Sequence, residues 1–154
     1  MNLYFSKMFF ISHRGNINGP NPVDENKVQY INDCLNKNFD VEIDLWFIKN
    51  KFYLGHDEPQ YEVGLDYLNN KKFWIHSKNL ECFYELSKYD LNYFWHEKDK
   101  IVITSKGFFW NYPGTQLSKK SICVLPEDTD EIKPECLGIC SDFIKKFYDR
   151  YNNI

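Results

Sequence analysis

Short apolar runs, separated by turns or by helical patterns, recur along the whole chain and limit its possible folds more than any other feature. The runs are rich in Phe, Ile, Val, Trp and Tyr, which are typical of β-strands. They occupy residues 8–12, 39–45, 52–55, 73–76, 92–96, 100–104, 107–112, 121–125 and 137–140. Several runs are almost wholly apolar, which is typical of a sheet covered on both faces.

Helical patterns fill several of the intervals between the runs. Residues 22–37 have apolar side chains at helical spacing and acidic residues in the first turn. Asn79 is suited to cap a second helix, and Ser141 or Asp142 a last one. Residues 61–70 are expected to hold one more short helix. Alternation of strands and helices predicts an α/β fold with a parallel sheet.

The number of runs favours a barrel. The Asn50-Lys51 pair predicts a hairpin whose return arm is residues 52–55, and the remaining runs match the strand number of a (β/α)₈ barrel. Such barrels rarely have fewer than about 200 residues, whereas this chain has 154. We therefore predict one domain over residues 1–154, a compact or reduced (β/α)₈ TIM-like barrel with short or missing helices in its second half.

Charge and cysteine content narrow the classes of function. The chain has 19 Lys and Arg against 22 Asp and Glu, so no basic excess favours nucleic acid as a partner. No apolar run is long enough for a transmembrane segment, and residues 1–11 are too short and interrupted for a signal peptide. The five cysteines include no Cys-x-x-Cys pair, which favours buried thiols and a cytoplasmic location.

All four histidines close an apolar run, at His13, His56, His76 and His96. The carboxyl ends of strands carry the active site in parallel α/β folds. The four imidazoles are therefore predicted to share one site.

Glu42 and Asp44 flank Ile43 in a predicted strand. Strand alternation sends both carboxylates to one face, about 7 Å apart. Buried carboxylates without partners are unfavourable, and a divalent cation would offset their repulsion. A salt bridge to Arg14 or to a lysine, or a solvated edge strand, is the alternative. With His13 and His56 as proton donor and acceptor, the set suits phosphodiester chemistry.

Three motifs carry a family resemblance: Ser12-His13-Arg14-Gly15, Glu42-Ile43-Asp44 and Gly55-His56-Asp57. They resemble the His-Arg-Gly, Glu-x-Asp and His-Asp signatures of glycerophosphodiester phosphodiesterases. That family belongs to the phosphatidylinositol-phospholipase-C-like superfamily of TIM barrels, which also includes sphingomyelinase-D-type toxins. The likeness covers residues 8–57 and, loosely, residues 73–78.

The resemblance implies a metal-dependent phosphodiester hydrolase of lipid metabolism, acting on a small glycerophosphodiester-type substrate. It implies that His13 and His56 are the acid–base pair, that Arg14 contacts phosphate, and that Glu42 and Asp44 bind the metal.

The third strand departs from the family pattern, because His76-Ser77-Lys78 stands where the family usually has Glu-x-Lys. His76 remains a candidate metal ligand and Lys78 a candidate phosphate contact. The expected cation is Mg²⁺, Mn²⁺ or Ca²⁺, or Zn²⁺ if His76 is a ligand, since imidazole suits Zn²⁺, Mn²⁺ and Fe²⁺ better than Ca²⁺.

Later positions supply further candidates for substrate binding. His96 ends the next strand, and Lys106 and Trp110 suit an anionic and an apolar part of the substrate. Asp142 is interpreted as a helix cap rather than as a catalytic residue. The short second half predicts a small, open site.

Three alternatives stay open. Attack by an internal hydroxyl, as in sphingomyelinase-D-type relatives, would release a cyclic phosphate. A non-catalytic relative would bind a phosphorylated ligand or a partner protein. A metal oxygenase would use His76, Glu42 and Asp44 as ligands.

Overall fold

The protein is described by a computed structural model over residues 8–128 and 135–153. Within these ranges it has mixed α/β structure, with a ten-stranded sheet and four α-helices, which confirms the predicted α/β class. The strands are Phe9–His13 (β1), Asp40–Ile48 (β2), Lys51–Leu54 (β3), Tyr61–Val63 (β4), Phe73–Ser77 (β5), Tyr93–Phe94 (β6), Ile101–Ile103 (β7), Phe109–Asn111 (β8), Ser121–Val124 (β9) and Gly138–Ser141 (β10). The helices are Val28–Asn36 (α1), Leu65–Leu68 (α2), Leu80–Leu86 (α3) and Ile144–Tyr151 (α4).

The parallel part of the sheet has the strand order β6-β5-β2-β1-β10-β9-β8. Strand β7 adds to β8 in the antiparallel sense, and β3 and β4 form an antiparallel extension of β2. The predicted hairpin is present, with its turn at Lys49 and Asn50, one residue earlier than expected. Both turn residues have positive φ, 49° and 61°, as a tight hairpin turn requires.

The two ends of the parallel region approach each other. The Ser105 amide, just after β7, donates to the Tyr93 carbonyl at 2.8 Å, and the Ser105 hydroxyl accepts from the Tyr93 amide at 3.0 Å. The ring centroids of Phe94 on β6 and Trp110 on β8 lie 4.7 Å apart. No strand ladder joins β6 to β7 within the described residues, so the sheet remains open there.

Apolar side chains pack on both faces of the sheet, as the almost wholly apolar runs predict. On one face, Val41, Ile43 and Leu45 of β2 belong to a cluster that includes buried residues of α1, α3 and α4. A second cluster combines residues of several parallel strands: Ile11, Trp74, Phe94, Trp110, Ile122, Val124 and Cys140. Glu42 and Asp44 of β2 alternate along the strand with these core residues and so lie on its other face.

Each predicted helix is present, with shorter bounds. Helix α1 begins at Val28, because residues 22–26 form turns and Asn26 has a φ of +63°. Asn79 is the N-cap of α3, but its side chain makes no capping hydrogen bond to the helix backbone. It bonds the Phe47 backbone and the Glu81 side chain. Residue 143 is the N-cap of α4, so the predicted Asp142 cap is corrected.

The thiols of Cys34, Cys82, Cys123 and Cys140 are buried, that of Cys136 is half-buried, and none of the five cysteines forms a disulfide. Among the described residues no helix is both long and apolar enough to cross a membrane. Residues 1–7, on which the signal-peptide prediction depends, lie outside the described ranges.

Candidate functional site

The carboxyl ends of the central parallel strands bring charged and polar side chains together. β1 places His13 opposite Glu42 of β2, and β2 places Asp44 opposite His76 of β5. The cluster is completed by residues that follow β1, β3, β5 and β10: Arg14, His56, Lys78 and Asp142. The predicted sharing of one site by the strand-end histidines is therefore seen for His13, His56 and His76.

Glu42 and Asp44 are almost completely buried, at 2% and 0% exposure. Burial and the neighbouring Asp44 charge raise the pKa of Glu42 to about 7. Burial would also raise the pKa of Asp44, but His56, His76 and Arg14 outweigh burial and hold that pKa well below its usual value. Asp44 is thus the permanently charged member of the pair.

The two oxygens of Asp44 have different surroundings. Oδ2 accepts a hydrogen bond from Asn26 Nδ2 at 2.9 Å and lies 3.1 Å from Arg14 Nε and 3.3 Å from His56 Nδ1. Oδ1 lies 3.2 Å from His76 Nδ1 and 3.8 Å from Lys78 Nζ. A salt bridge to Arg14 was predicted as the alternative to a metal site. That salt bridge exists, and it uses only Oδ2 of Asp44.

The chain after β1 turns sharply to present Arg14. Arg14 and Gly15 have φ values of +57° and +93°, and a Cβ at residue 15 would lie 2.7 Å from the Tyr30 ring. Only glycine combines that conformation with that close approach. The Arg14 amide donates to the Glu42 carbonyl at 3.0 Å, so the turn is tied to β2.

Glu25 supports the Arg14 guanidinium from the other side. Its Oε2 lies 3.3 Å from Arg14 Nη1, and its Oε1 accepts from Asn16 Nδ2 at 2.8 Å and from the Asn21 amide at 3.1 Å. Asn26, the next residue, hydrogen-bonds both the side chain and the amide of Asp44. The Glu25-Asn26 pair therefore positions the guanidinium and the carboxylate together.

His13 is oriented by Asp142, which the sequence interpretation treated as a helix cap. His13 Nδ1 donates to Asp142 Oδ1 at 2.8 Å, which leaves Nε2 3.8 Å from Glu42 Oε2. Asp142 is itself held by Asn16 Nδ2, and its amide donates to Glu127. Burial lowers the pKa of His13, but Asp142 and Glu42 outweigh it, so that the pKa is raised. The sequence signal that could have identified Asp142 was its position as a polar residue directly after a parallel strand.

His56 follows β3 on a turn that glycine makes possible. Gly55 has a φ of +151°, and a Cβ there would lie 2.0 Å from the Glu58 carbonyl oxygen. The His56 side chain is 40% exposed, its Nε2 lies 3.3 Å from Arg14 Nη2, and its Nδ1 faces Asp44. His56 is thus the imidazole of the cluster most open to solvent.

A stack of rings supports His76. Its ring lies nearly parallel to Phe94, with centroids 5.1 Å apart, and to His96, at 4.5 Å. His96 Nε2 and the Tyr112 hydroxyl are 2.5 Å apart. Burial and the charges of His76 and Lys78 lower the pKa of His96 to about 4. His96 therefore lies beside the cluster as predicted, and Tyr112 is a neighbour that the sequence interpretation did not include.

Lys106 and Trp110 are not brought to this cluster, which corrects their predicted contact with substrate. Lys106 precedes β8 and so lies at the amino end of the strands, where it pairs with Asp90 beside a cavity of about 740 Å³. Trp110 is in the middle of β8, is 1% exposed, and packs on Phe94. It is a core residue.

Glu42, Asp44 and His76 form a group that could hold a metal ion. They offer ligand atoms that all lie within 4.8 Å of one another. Glu42 Oε2 is buried and accepts no hydrogen bond, which is the expected state of a carboxylate oxygen reserved for a cation. The donor set therefore fits a divalent ion.

A cleft of about 430 Å³ adjoins the cluster, and Arg14, His56 and Asp142 are among its lining residues. Exposed carboxylates of the loop after β3, at Asp57 and Glu58, form part of its wall. Its volume suits a small ligand.

Comparison with other proteins gives no family for the chain: no family model, curated protein or solved structure matches it.

Proposed function

We propose that the protein is a metal-dependent phosphodiester hydrolase that acts on a small glycerophosphodiester-type substrate. The observation that carries the proposal is the grouping of two imidazoles about one guanidinium beside two buried carboxylates. His13 directly precedes Arg14, and His56 Nε2 lies 3.3 Å from Arg14 Nη2. The resemblance of the three motifs to glycerophosphodiester phosphodiesterases supports the same function.

Arg14 and Lys78 would bind the phosphate. Both cations are held at the cluster by Asp44, and a guanidinium matches the geometry of two phosphate oxygens. When Arg14 turns to a phosphate, it releases the His56 nitrogen that it now contacts. Binding of substrate thereby frees the proton acceptor.

His13 and His56 divide the proton transfers. Asp142 holds the Nδ1 proton of His13 and stabilises its cationic form, so His13 donates a proton from Nε2 to the leaving oxygen. His56 Nδ1 faces Asp44, which leaves Nε2 to take a proton from the attacking water. The water oxygen bonds to phosphorus as the bond to the leaving oxygen breaks.

A divalent ion held by Glu42, Asp44 and His76 would neutralise charge on the non-bridging phosphate oxygens. The fold that we propose for this site is the reduced (β/α)₈ TIM-like barrel. The Ser105–Tyr93 hydrogen bonds and the Phe94–Trp110 contact, which bring the two ends of the sheet together without a strand ladder, support this fold. Carboxyl-end placement of the cluster agrees with the usual site of such barrels.

The test is an assay of chelator-treated protein on a nitrophenyl phosphodiester and a panel of glycerophosphodiesters, with Mg²⁺, Mn²⁺, Ca²⁺ or Zn²⁺ added. We expect metal-dependent turnover that falls roughly 10²- to 10⁴-fold in His13→Ala and is lost in Glu42→Ala. Glu62→Ala is the matched control, because Glu62 is exposed and pairs only with Lys51 among the described ion pairs.

Product analysis separates a phosphomonoester from a cyclic phosphate, the product of internal attack. A folded protein that turns over no substrate with any of the four ions would contradict the proposal. Binding of a phosphate ester without turnover would then favour the non-catalytic relative.

A further inference from the structure

We propose that the Glu42–Asp44–His76 centre selects transition-metal ions, and binds Zn²⁺ more tightly than Mn²⁺ and both much more tightly than Mg²⁺ or Ca²⁺. The inference deepens the proposed function and shares its site. It concerns binding alone and is tested without turnover.

The site offers few free carboxylate oxygens. Asp44 Oδ2 already has three polar contacts, with Asn26, Arg14 and His56. Asp44 Oδ1 and the two oxygens of Glu42 remain, and Glu42 Oε2 accepts no hydrogen bond. Ca²⁺ takes 6–8 oxygen ligands and Mg²⁺ prefers a near-ideal octahedron of oxygens. So few carboxylate oxygens favour an ion that accepts fewer ligands.

The third donor, on His76, is a nitrogen whose position is restricted. The His76 ring is stacked on His96 and Phe94, with interplanar angles of 13° and 10°, and His96 is held in turn by Tyr112. Strand pairing also sets His76 opposite Asp44. The His76 imidazole is thus held with its Nδ1 3.2 Å from Asp44 Oδ1. An ion bound at this centre therefore meets a nitrogen donor as well as oxygen donors.

Nearby cations also reduce the net negative charge of the site. Arg14 and Lys78 already balance much of the charge of Asp44, so purely electrostatic attraction for a hard cation is reduced. Imidazole adds a bond that Zn²⁺, Fe²⁺ and Mn²⁺ favour and that Mg²⁺ and Ca²⁺ do not. The stability order of divalent ions at nitrogen and oxygen donors places Zn²⁺ above Mn²⁺.

The experiment is isothermal titration of chelator-treated protein with the chloride salts of Zn²⁺, Mn²⁺, Mg²⁺ and Ca²⁺. A Cys136→Ser background removes the one thiol that is not fully buried in the described residues. We expect one Zn²⁺ per chain, with affinity at least about 100-fold above that for Mg²⁺ or Ca²⁺. His76→Glu is expected to weaken Zn²⁺ binding at least about 10-fold and to strengthen Ca²⁺ binding. Glu62→Gln, a change at an exposed carboxylate that pairs with Lys51, should leave the Zn²⁺ affinity within about 3-fold.

A second measurement needs no substitution at the site. Pulsed electron paramagnetic resonance of the Mn²⁺-loaded protein, with ¹⁵N-labelled histidine, should show coupling to one imidazole nitrogen. Equal affinity for all four ions, an unchanged Zn²⁺ affinity in His76→Glu, or absent nitrogen coupling would overturn the inference. Tight Zn²⁺ binding without phosphodiester turnover would overturn only the proposed hydrolysis, whereas turnover with Mg²⁺ and weak Zn²⁺ binding would overturn only the selectivity.

Discussion

Glu42 is the residue whose surroundings most affect the metal-free protein. Its carboxyl group is buried beside a charged Asp44, and its pKa is raised to about 7 from a usual 4.5. A raised carboxyl pKa means that the folded state holds a proton that the unfolded state releases. The contribution of Glu42 to stability therefore falls as the pH rises from about 4.5 through about 7.

Glu42→Gln should remove this pH dependence, because a neutral amide has no proton to lose. At pH 8 the metal-free variant is expected to be more stable than the wild type, by on the order of 2–3 kcal/mol, and the difference should disappear near pH 4.5. Urea unfolding at both pH values measures this. Glu62→Gln, at an exposed site, serves as control. A Glu42→Gln protein that is no more stable than the wild type at pH 8 would refute the prediction.

Asp142→Asn should lower the pKa of His13, since the hydrogen bond to the Asp142 carboxylate favours the protonated ring. Nuclear magnetic resonance titration of the His13 ring measures the effect directly. If the proposed hydrolysis holds, the rate constant at saturating substrate should also fall roughly 10²- to 10⁴-fold, because the ring loses its orientation and tautomer. An unchanged His13 titration would refute the positioning role of Asp142.

The residues of the site differ in how far sequence could predict them. Glu42 and Asp44 were accessible because alternation alone sends both to one strand face. Asp142 follows a strand as well, but it also precedes a helix, and its position suits a cap. Its role depends on a contact with His13, 129 positions away in the chain, which local patterns do not contain.

At the scale of elements, the turns after β1 and β3 deliver Arg14 and His56 to the cluster. Both turns use a glycine at positive φ, Gly15 and Gly55. A strand is present at every predicted apolar run, because such runs are recognised from local spacing and composition. Strand β4 was missed, since Tyr61–Val63 is short and its middle residue, Glu62, is charged and exposed.

Gly55→Ala should destabilise the protein by about 2 kcal/mol or more, since an alanine methyl would meet a backbone carbonyl oxygen in a conformation unfavourable for alanine. Gly64→Ala is the matched control: Gly64 has a φ of −90°, and nothing lies within 4 Å of its added Cβ. Chemical denaturation of both variants tests the difference. Equal stability of the two variants would mean that the turn after β3 relaxes without cost.

At the scale of the whole molecule, the contact between Phe94 and Trp110 joins strands that are far apart in the sheet order. The number of strands and their order along the chain were predictable from local patterns. How the two ends of the sheet meet was not. The Ser105 link to Tyr93 and the ring contact depend on curvature over the whole sheet. Strand count could therefore support a barrel only as an expectation.

A double-mutant cycle on Phe94 and Trp110 measures this contact. Each change to alanine should cost about 3–5 kcal/mol, as for buried aromatic side chains in general. The two costs should be non-additive by about 0.5–1.5 kcal/mol, because the rings touch. Tyr84→Ala, at a 61% exposed position, should change stability by less than about 0.5 kcal/mol. Strict additivity of the two buried changes would show that the edges do not meet in solution.

The alternation along β2 has a consequence for how such a protein can change over generations. Val41, Ile43 and Leu45 belong to the packed core, while Glu42 and Asp44 belong to the site. Point substitutions at the two acidic positions can therefore alter chemistry while the core side chains stay as they are. Insertion of a single residue ahead of Val41 would exchange the two faces and abolish packing and chemistry together. Strand β2 can therefore acquire new chemistry through point substitutions, but it does not tolerate a change in its length.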